Sequence, residues 1–208
     1  ISLIKSNIEN NQNLKFPKII AVSKTFKLEK ILPLIDHGHS DYGENKVQEA
    51  IEKWTSIKEK KPNIKLHLIG RLQTNKVKFA IKIFDYIHSL DSIKLAKKIA
   101  DEEKKQNKKI QLFIQVNIGK EDQKSGVELK NLSELYNYCK DLNLNVIGLM
   151  CIPPFEEDSE KYFKEMKILN KKFNLSNLSM GMSSDYLKAI QNSATHVRIG
   201  SSIFGSRN

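Results

Sequence analysis

The chain has 208 residues, 39% of them hydrophobic, and a formal net charge of +11 at pH 7. This length suits one domain spanning residues 1–208, and no apolar run approaches the roughly 20 residues of a membrane-spanning helix. We therefore expect a single soluble globular domain with no membrane segment.

The positive charge is spread over the sequence rather than concentrated in one segment. Lysines occur in almost every predicted helix, which favours a general compositional bias over a specific nucleic-acid site. Cys139 and Cys151 lack metal-type spacing, and residues 1–11 do not resemble a signal peptide. We expect a cytoplasmic protein with two free thiols, no disulfide and no metal. The sequence starts without methionine, which leaves open whether residues precede Ile1.

Apolar patterns predict strands and helices in strict alternation. Residues 19–25 begin with a short continuous apolar run that is typical of a strand buried on both faces, with Lys24 just past its end. Helical spacing follows up to Gly38. The same alternation continues along the chain. Strands are predicted near 39–42, 64–69, 84–88, 110–116, 144–150, 178–180 and 196–199, and helices near 47–57, 72–81, 93–100, 129–139, 162–173 and 183–191.

Eight strand–helix units predict a closed barrel. Alternating units imply parallel strands with crossover helices, and eight of them in one domain form a (β/α)8 TIM barrel. An open doubly wound sheet is the alternative, but no glycine-rich nucleotide fingerprint or P-loop follows the first strand.

In such a barrel the functional residues lie at the carboxyl ends of the strands. The residues at the predicted strand ends are mostly polar and uncharged. The full set is Lys24, Glu44, Asn45, Gly70, Gln73, Asn75, Asn117, Met150, Cys151, residues 181–184, Arg198, Gly200 and Ser201.

Two features of this set suggest a particular cofactor. Lys24 follows the first strand, where partial desolvation can release the amine that forms a Schiff base with an aldehyde. Glycine and serine follow the seventh and eighth strands, at Ser183, Ser184, Gly200 and Ser201, the position where barrels often bind phosphate. An aldehyde and a phosphate on opposite sides of one ring indicate pyridoxal 5′-phosphate, PLP.

The sequence resembles the pyridoxal phosphate homeostasis proteins, relatives of the barrel domain of alanine racemase. The match covers nearly the whole chain. It is carried by residues 21–25, 42–49, 67–70, 72–76, 115–118, 124–126, 148–150, 178–183 and 197–205.

The resemblance implies a cofactor site and no catalytic residue. Lys24 forms the Schiff base, and Ser183, Ser184, Gly200 and Ser201 surround the phosphate. Asn45 lies near the ring, and Arg198 faces the pyridine nitrogen. Met150, at the end of the sixth strand, is also assigned to the cofactor site. Arginine stays charged and only donates hydrogen bonds, so it would keep that nitrogen unprotonated and weaken the cofactor as an electron sink.

Two positions depart from the family pattern. Arg71 stands where proline is expected, which puts the backbone of that loop in question. Cys151 stands where a smaller residue is more usual, and we expect its thiol to be packed in the core and unreactive.

We expect a monomer that binds PLP through Lys24 and buffers it or delivers it to apo-enzymes, without dedicated turnover. The alternative is an amino-acid racemase. Two-base racemisation needs a second acid–base group, which another domain supplies in the resembling racemases, and we expect no such domain in this protein. A nucleic-acid-binding module, suggested by charge alone, is the third possibility.

Overall fold

The computed structural model describes residues 1–10, 16–121 and 125–205. Eight parallel strands form a closed barrel in chain order, in which each strand pairs with the next and the last pairs with the first. The predicted (β/α)8 barrel is confirmed, and the open doubly wound sheet is wrong. The strands are β1 (Lys18–Val22), β2 (Asp41–Glu44), β3 (Lys65–Leu68), β4 (Tyr86–Leu90), β5 (Gln111–Gln115), β6 (Val146–Met150), β7 (Asn177–Met182) and β8 (His196–Ile199).

Helices follow the strands and cover the outside of the barrel. They are α1 (Ser2–Glu9), α2 (Leu28–Asp36), α3 (Val47–Lys60), α4 (Val77–Ile83), α5 (Ile93–Gln106), α6 (Leu132–Asp141), α7 (Ser159–Lys172), α8 (Tyr186–Gln191) and α9 (Ser201–Phe204). Short 3-10 helices, Thr74–Lys76 and Leu129–Asn131, precede α4 and α6. None of the helices in the described residues is both long and apolar enough to cross a bilayer.

The main apolar core lies between the strands and the helices. Alternate strand residues such as Ile19, Ala21, Leu66 and Leu68 join the buried helix faces in one cluster, to which Trp54 contributes a large fully buried side chain. This is the expected consequence of a period of two in the strands and 3.6 in the helices.

The barrel interior is more polar than usual for this fold. A small apolar cluster of Tyr86, Phe113 and Met150 is separate from the main core. Strands β2, β3, β4, β7 and β8 also bury the polar residues Asp41, His67, His88, Ser179, His196 and Arg198. Such interiors are ordinarily filled by valine, isoleucine and leucine, so these polar side chains call for a physical explanation.

Several element boundaries differ from the predicted ones. Strand β2 begins at Asp41 and includes Glu44, so Glu44 does not follow the strand as the sequence suggested. Leu72 lies in a loop, because the 3-10 turn at Thr74 delays the start of α4. Strand β7 extends to Met182, which shortens the loop before α8. Lys124, from the 124–126 family segment, lies outside the described residues.

Candidate functional site

A cavity of about 520 Å³ opens at the carboxyl ends of the strands. This volume lies within the range of ordinary small-molecule sites. Seven of the eight predicted site residues line it, so the structure brings together groups up to 177 positions apart in the sequence. The lining residues are Val22, Lys24, Asn45, Ile69, Ile152, Met182, Ser183, Ser184, Arg198, Gly200, Ser201 and Gly205.

Lys24 lies on a turn two residues beyond β1 and is half-buried. The Ser23 N–H donates to the carbonyl oxygen of Gly43 at 3.0 Å. The Thr25 N–H donates to Glu49 Oε1 at 2.6 Å, and Thr25 has a φ of 67°, unusual for a β-branched residue. Both neighbours of Lys24 are therefore held in place, one of them at the cost of backbone strain.

Glu44 holds this turn in place through buried hydrogen bonds. Its Oε1 accepts hydrogen bonds from Ser23 Oγ at 2.8 Å, Trp54 Nε1 at 2.9 Å and Lys53 Nζ at 3.0 Å. Burial raises the pKa of Glu44, and these donors partly oppose that rise. Lys53 also donates to the Ser23 carbonyl oxygen at 3.0 Å and to Glu49 at 2.9 Å. Glu44 does not line the cavity; it supports the residue that carries Lys24.

The loops after β7 and β8 meet on one side of the cavity. The Gly200 N–H donates to Ser183 Oγ at 3.3 Å, which connects the two loops directly. The Met182 N–H donates to Asp185 Oδ1 at 2.7 Å and so shapes the first loop. Gly181 has a φ of +91°, and a Cβ there would lie 2.5 Å from Ala189 Cβ, so this turn requires glycine.

Asn45 packs closely against a glycine in the loop after β3, Gly70. A Cβ on Gly70 would lie 2.4 Å from the Asn45 carbonyl oxygen and 2.8 Å from its Cα. The Ile69 N–H donates to the Glu44 carbonyl oxygen at 2.9 Å. The loop that contains exposed Arg71 in place of the expected proline thus still packs against the backbone of Asn45.

Arg198 is buried at the end of β8 and still lines the cavity. Its Nη1 donates to Ser179 Oγ at 2.7 Å, and its Nη2 donates to the Cys151 carbonyl oxygen at 2.8 Å. Burial lowers the pKa of Arg198 from its ordinary value, but arginine is far too basic to lose its proton near neutral pH. Both terminal nitrogens of the guanidinium are therefore hydrogen-bonded to the protein.

Met150 is the predicted site residue that does not line the cavity. It is fully buried in the cluster with Tyr86 and Phe113, and Ile152 lines the cavity on that side instead. Sequence reasoning also missed the lining residues Val22, Ile69 and Gly205, and it included Met182 only as part of the strand-end segment 181–184. Their side chains carry no reactive group, so only their closeness in sequence to polar strand-end residues could have indicated them.

Other strand-end residues lie elsewhere. Gln73 and Asn75 line a separate cavity of about 620 Å³ between the loops after β3 and β4. Asn117 forms a turn, in which its Nδ2 donates to the Glu121 carbonyl oxygen at 3.0 Å. Cys139 and Cys151 are buried free thiols. Within the described ranges no group of three histidine, cysteine or acidic side chains is arranged to hold a metal ion.

The fold and the site define the class of protein. All 208 residues, 1–208, match the family described as alanine racemase, N-terminal domain. The alanine racemase of Clostridium difficile superposes with a TM-score of 0.72 at 17% identity, covering 100% of this chain and 56% of that one. At this identity the likeness shows the fold alone. The chain is thus an (β/α)8 barrel of the alanine racemase N-terminal domain class.

More similar proteins identify the family. A pyridoxal phosphate homeostasis protein of Aquifex aeolicus is 42% identical over 200 residues, which cover 91% of this chain and 87% of that relative. PipY of Synechococcus elongatus, whose structure has been solved with PLP bound, has a TM-score of 0.87 and 30% identity over 97% of this chain and 99% of that one. The chain belongs to the pyridoxal phosphate homeostasis protein family.

Proposed function

We propose that this chain binds PLP in the 520 Å³ cavity through Lys24, and that it carries or buffers the cofactor without dedicated turnover. The observation that supports this most strongly is the meeting of Lys24, Arg198 and both serine–glycine loops around one cavity. Family membership and the PLP-bound structure of PipY support the same cofactor.

The residues of the cavity fit the chemical groups of PLP. Lys24 would hold the cofactor at its aldehyde, because a lysine amine can form a C=N bond, a Schiff base, with an aldehyde as one water is released. Hydroxyls of Ser183, Ser184 and Ser201 and the backbone around Gly200 supply hydrogen-bond donors for the phosphate. Asn45 borders the same cavity and offers an amide to the ring substituents.

Arg198 is assigned to the ring nitrogen. Its guanidinium stays charged and can only donate, so a ring nitrogen in contact with it acts as an unprotonated acceptor. A ring without a proton at this position withdraws electrons weakly, which disfavours carbanion chemistry. This supports a binding role over a catalytic one.

The racemase alternative has less support. Among the twelve lining residues in the described part of the chain, Lys24 and Arg198 are the ionisable ones. Two-base racemisation needs a second acid–base group on the other face of the substrate. We expect no racemisation of alanine above the rate seen with Lys24→Ala; turnover that this substitution abolishes would revive the alternative.

The first experiment is trapping of the cofactor. The purified protein is mixed with equimolar PLP, the visible spectrum is recorded, and borohydride reduction is followed by peptide mass mapping. We expect an imine band and a pyridoxyl label on Lys24. Lys24→Ala should lose both, whereas Lys27→Ala, which removes an exposed lysine of the same loop, should retain both. A label scattered over surface lysines would contradict the proposal.

Delivery is tested separately. We propose that a cytoplasmic monomer holds PLP and passes it to apo-enzymes, in keeping with the homeostasis role for which its relatives are named. Loaded protein is mixed with a PLP-dependent apo-enzyme, and recovery of that enzyme's activity is compared with the recovery given by the same concentration of free PLP. Size-exclusion chromatography with light scattering measures the mass against the 23.9 kDa of one chain. Failure to reactivate the apo-enzyme would leave binding intact but contradict delivery.

A further inference from the structure

A chain of four hydrogen bonds crosses the barrel interior from the cavity to the opposite end. Arg198 Nη1 lies 2.7 Å from Ser179 Oγ, and Ser179 Oγ lies 2.8 Å from His88 Nδ1. His88 Nε2 lies 3.0 Å from His67 Nδ1, and His67 Nε2 lies 3.0 Å from Asp41 Oδ1. We call Asp41, His67, His88 and Ser179 the barrel relay. Strands β4 and β7 are not neighbours, so the His88–Ser179 bond spans the interior.

The Asp41 end of the relay is an ionised acceptor. Burial raises the pKa of Asp41, but hydrogen bonding to His67 and Ser40 and the charge of Lys18 outweigh it and bring the pKa below its ordinary value. Ser40 Oγ donates to Asp41 Oδ2 at 2.8 Å, and Lys18 Nζ lies 3.2 Å from Oδ1. A carboxylate in this state can only accept hydrogen bonds.

Burial disfavours the charged form of both histidines. It lowers the pKa of His67, against the opposing effect of Asp41, and it lowers the pKa of His88 well below its ordinary value, where a positive charge would also be opposed by Arg198. We therefore expect both imidazoles to be neutral at pH 7. A neutral imidazole has one donor and one acceptor nitrogen, and the hydrogen bond at one nitrogen determines the role of the other.

The two ends of the relay therefore fix every proton within it. His67 Nε2–H donates to Asp41, which leaves His67 Nδ1 to accept from His88 Nε2–H. His88 Nδ1 then accepts from the Ser179 hydroxyl, and the oxygen of Ser179 presents a lone pair to Arg198. Every donor points away from the cavity and towards Asp41.

This order matters because Arg198 is a buried cation. Both acceptors that the described residues offer its guanidinium, Ser179 Oγ and the Cys151 carbonyl oxygen, are uncharged. Because every donor hydrogen lies on the side away from Arg198, each dipole of the relay turns its negative end towards the guanidinium. Aligned dipoles in a low-dielectric interior also reinforce one another.

We propose that the barrel relay holds the Arg198 guanidinium in its orientation at the cavity, which makes His67 and His88 positioning residues for the ring nitrogen of the cofactor. Its bearing on the cofactor rests on the proposed function. The order of the protons and the restraint of Arg198 are properties of the chain without ligand.

The first test reads the protons directly. Protein labelled with ¹⁵N-histidine and without added PLP is examined by long-range ¹H–¹⁵N correlation at pH 7, and signals are assigned with His67→Asn, His88→Asn and His196→Asn. We expect neutral Nε2–H tautomers at both His67 and His88. An Nδ1–H tautomer or an imidazolium at either position would overturn the proposal.

The second test follows Arg198, again without cofactor. Because both Nη groups are held, their ¹H–¹⁵N signals should be separate and should exchange slowly with water in the parent protein. His88→Leu leaves the Ser179 hydroxyl without its acceptor, and these signals should merge or vanish. His88→Asn, whose Oδ1 can accept from Ser179, should restore them in part and serves if His88→Leu does not fold. Unchanged Arg198 signals in both variants would overturn the relay.

The matched control is His196→Leu. The His196 ring lies in the same cluster, with its centroid 6.1 Å from that of His88 and 5.0 Å from that of Phe113, but its hydrogen bond goes to Thr195 outside the relay. With PLP added, His88→Leu should weaken binding by about 10-fold and shift the imine band, whereas His196→Leu should do neither. Equal effects of the two substitutions would contradict the assignment. If the parent protein shows the expected tautomers and Arg198 signals but no imine band, the proposed function fails and the relay stands.

Discussion

Replacing Gly70 with alanine should damage the site through backbone contact alone. The new Cβ would lie 2.4 Å from the Asn45 carbonyl oxygen and 2.8 Å from its Cα, and neither atom belongs to a side chain that could rotate away. To restore even a tight contact, the Asn45 backbone must retreat by about 0.6 Å, and overpacking of this kind costs about 1–3 kcal/mol of stability. We expect Gly70→Ala to lower the free energy of unfolding by that amount. Displacement of Asn45 should also weaken PLP binding by about 10-fold, or about 1.4 kcal/mol.

The control is a similar overlap at a distance from the cavity. A Cβ on Gly148 in β6 would lie 2.1 Å from the Asn177 carbonyl oxygen, at the start of β7. Gly148→Ala should therefore lose stability without losing affinity. Urea unfolding measures the stabilities, and spectral titration with PLP below the unfolding transition measures the affinities. Parent-like binding by Gly70→Ala, or an equal loss in both variants, would refute the reasoning.

Three further predictions concern buried ionisable groups. Glu44→Gln should lower the free energy of unfolding by about 1–3 kcal/mol, because it places an amide donor at Oε2, which has no hydrogen-bond partner among the described residues; an unchanged urea midpoint would contradict this. The folded pKa of Asp41 lies below its ordinary 3.8, so its contribution to stability is complete above about pH 5 and is lost as the pH falls through about 4 towards the folded pKa. Asp41→Asn should therefore flatten the acid side of a urea-unfolding series, and an unaltered acid slope would count against the assignment. Burial raises the pKa of Cys139 and of Cys151 to about 12, so neither thiol should react with a disulfide reagent at pH 8 until the protein is unfolded, when both should. Reaction in the folded protein would show that a thiol is accessible.

The sequence predicted the fold and the reactive face of the site because both follow from local patterns. Continuous apolar strands and amphipathic helices alternate, and their order dictates that the strand ends meet at one face. Lys24, Ser183 and Gly200 could be assigned to that face without knowledge of any distance. The residues that line the cavity without reactive groups, such as Val22 and Ile69, have no pattern that separates them from the core.

Glu44 and the barrel relay could not be predicted for a different reason. The sequence predicted a strand that ends near residue 42, which would put Glu44 among the strand-end residues. Strand β2 instead runs from Asp41 to Glu44, and the Glu44 side chain bonds Trp54 and Lys53 of α3. His67 and His88 look like isolated polar residues within apolar strands. His67 meets Asp41 of the paired strand β2, and only barrel closure brings Ser179 of β7 within hydrogen-bonding distance of His88.

The turn that carries Lys24 also bears on how fast a ligand could come and go. Hydrogen bonds to Gly43, Glu44, Lys53 and Glu49 restrain Ser23 and Thr25, so folding itself already orders this segment. Arrival of a ligand then need not wait for a loop to close, and its departure need not wait for one to open. We expect the half-exposed lysine to exchange its partner at the rate of bond formation and hydrolysis, a property that suits temporary storage better than permanent retention.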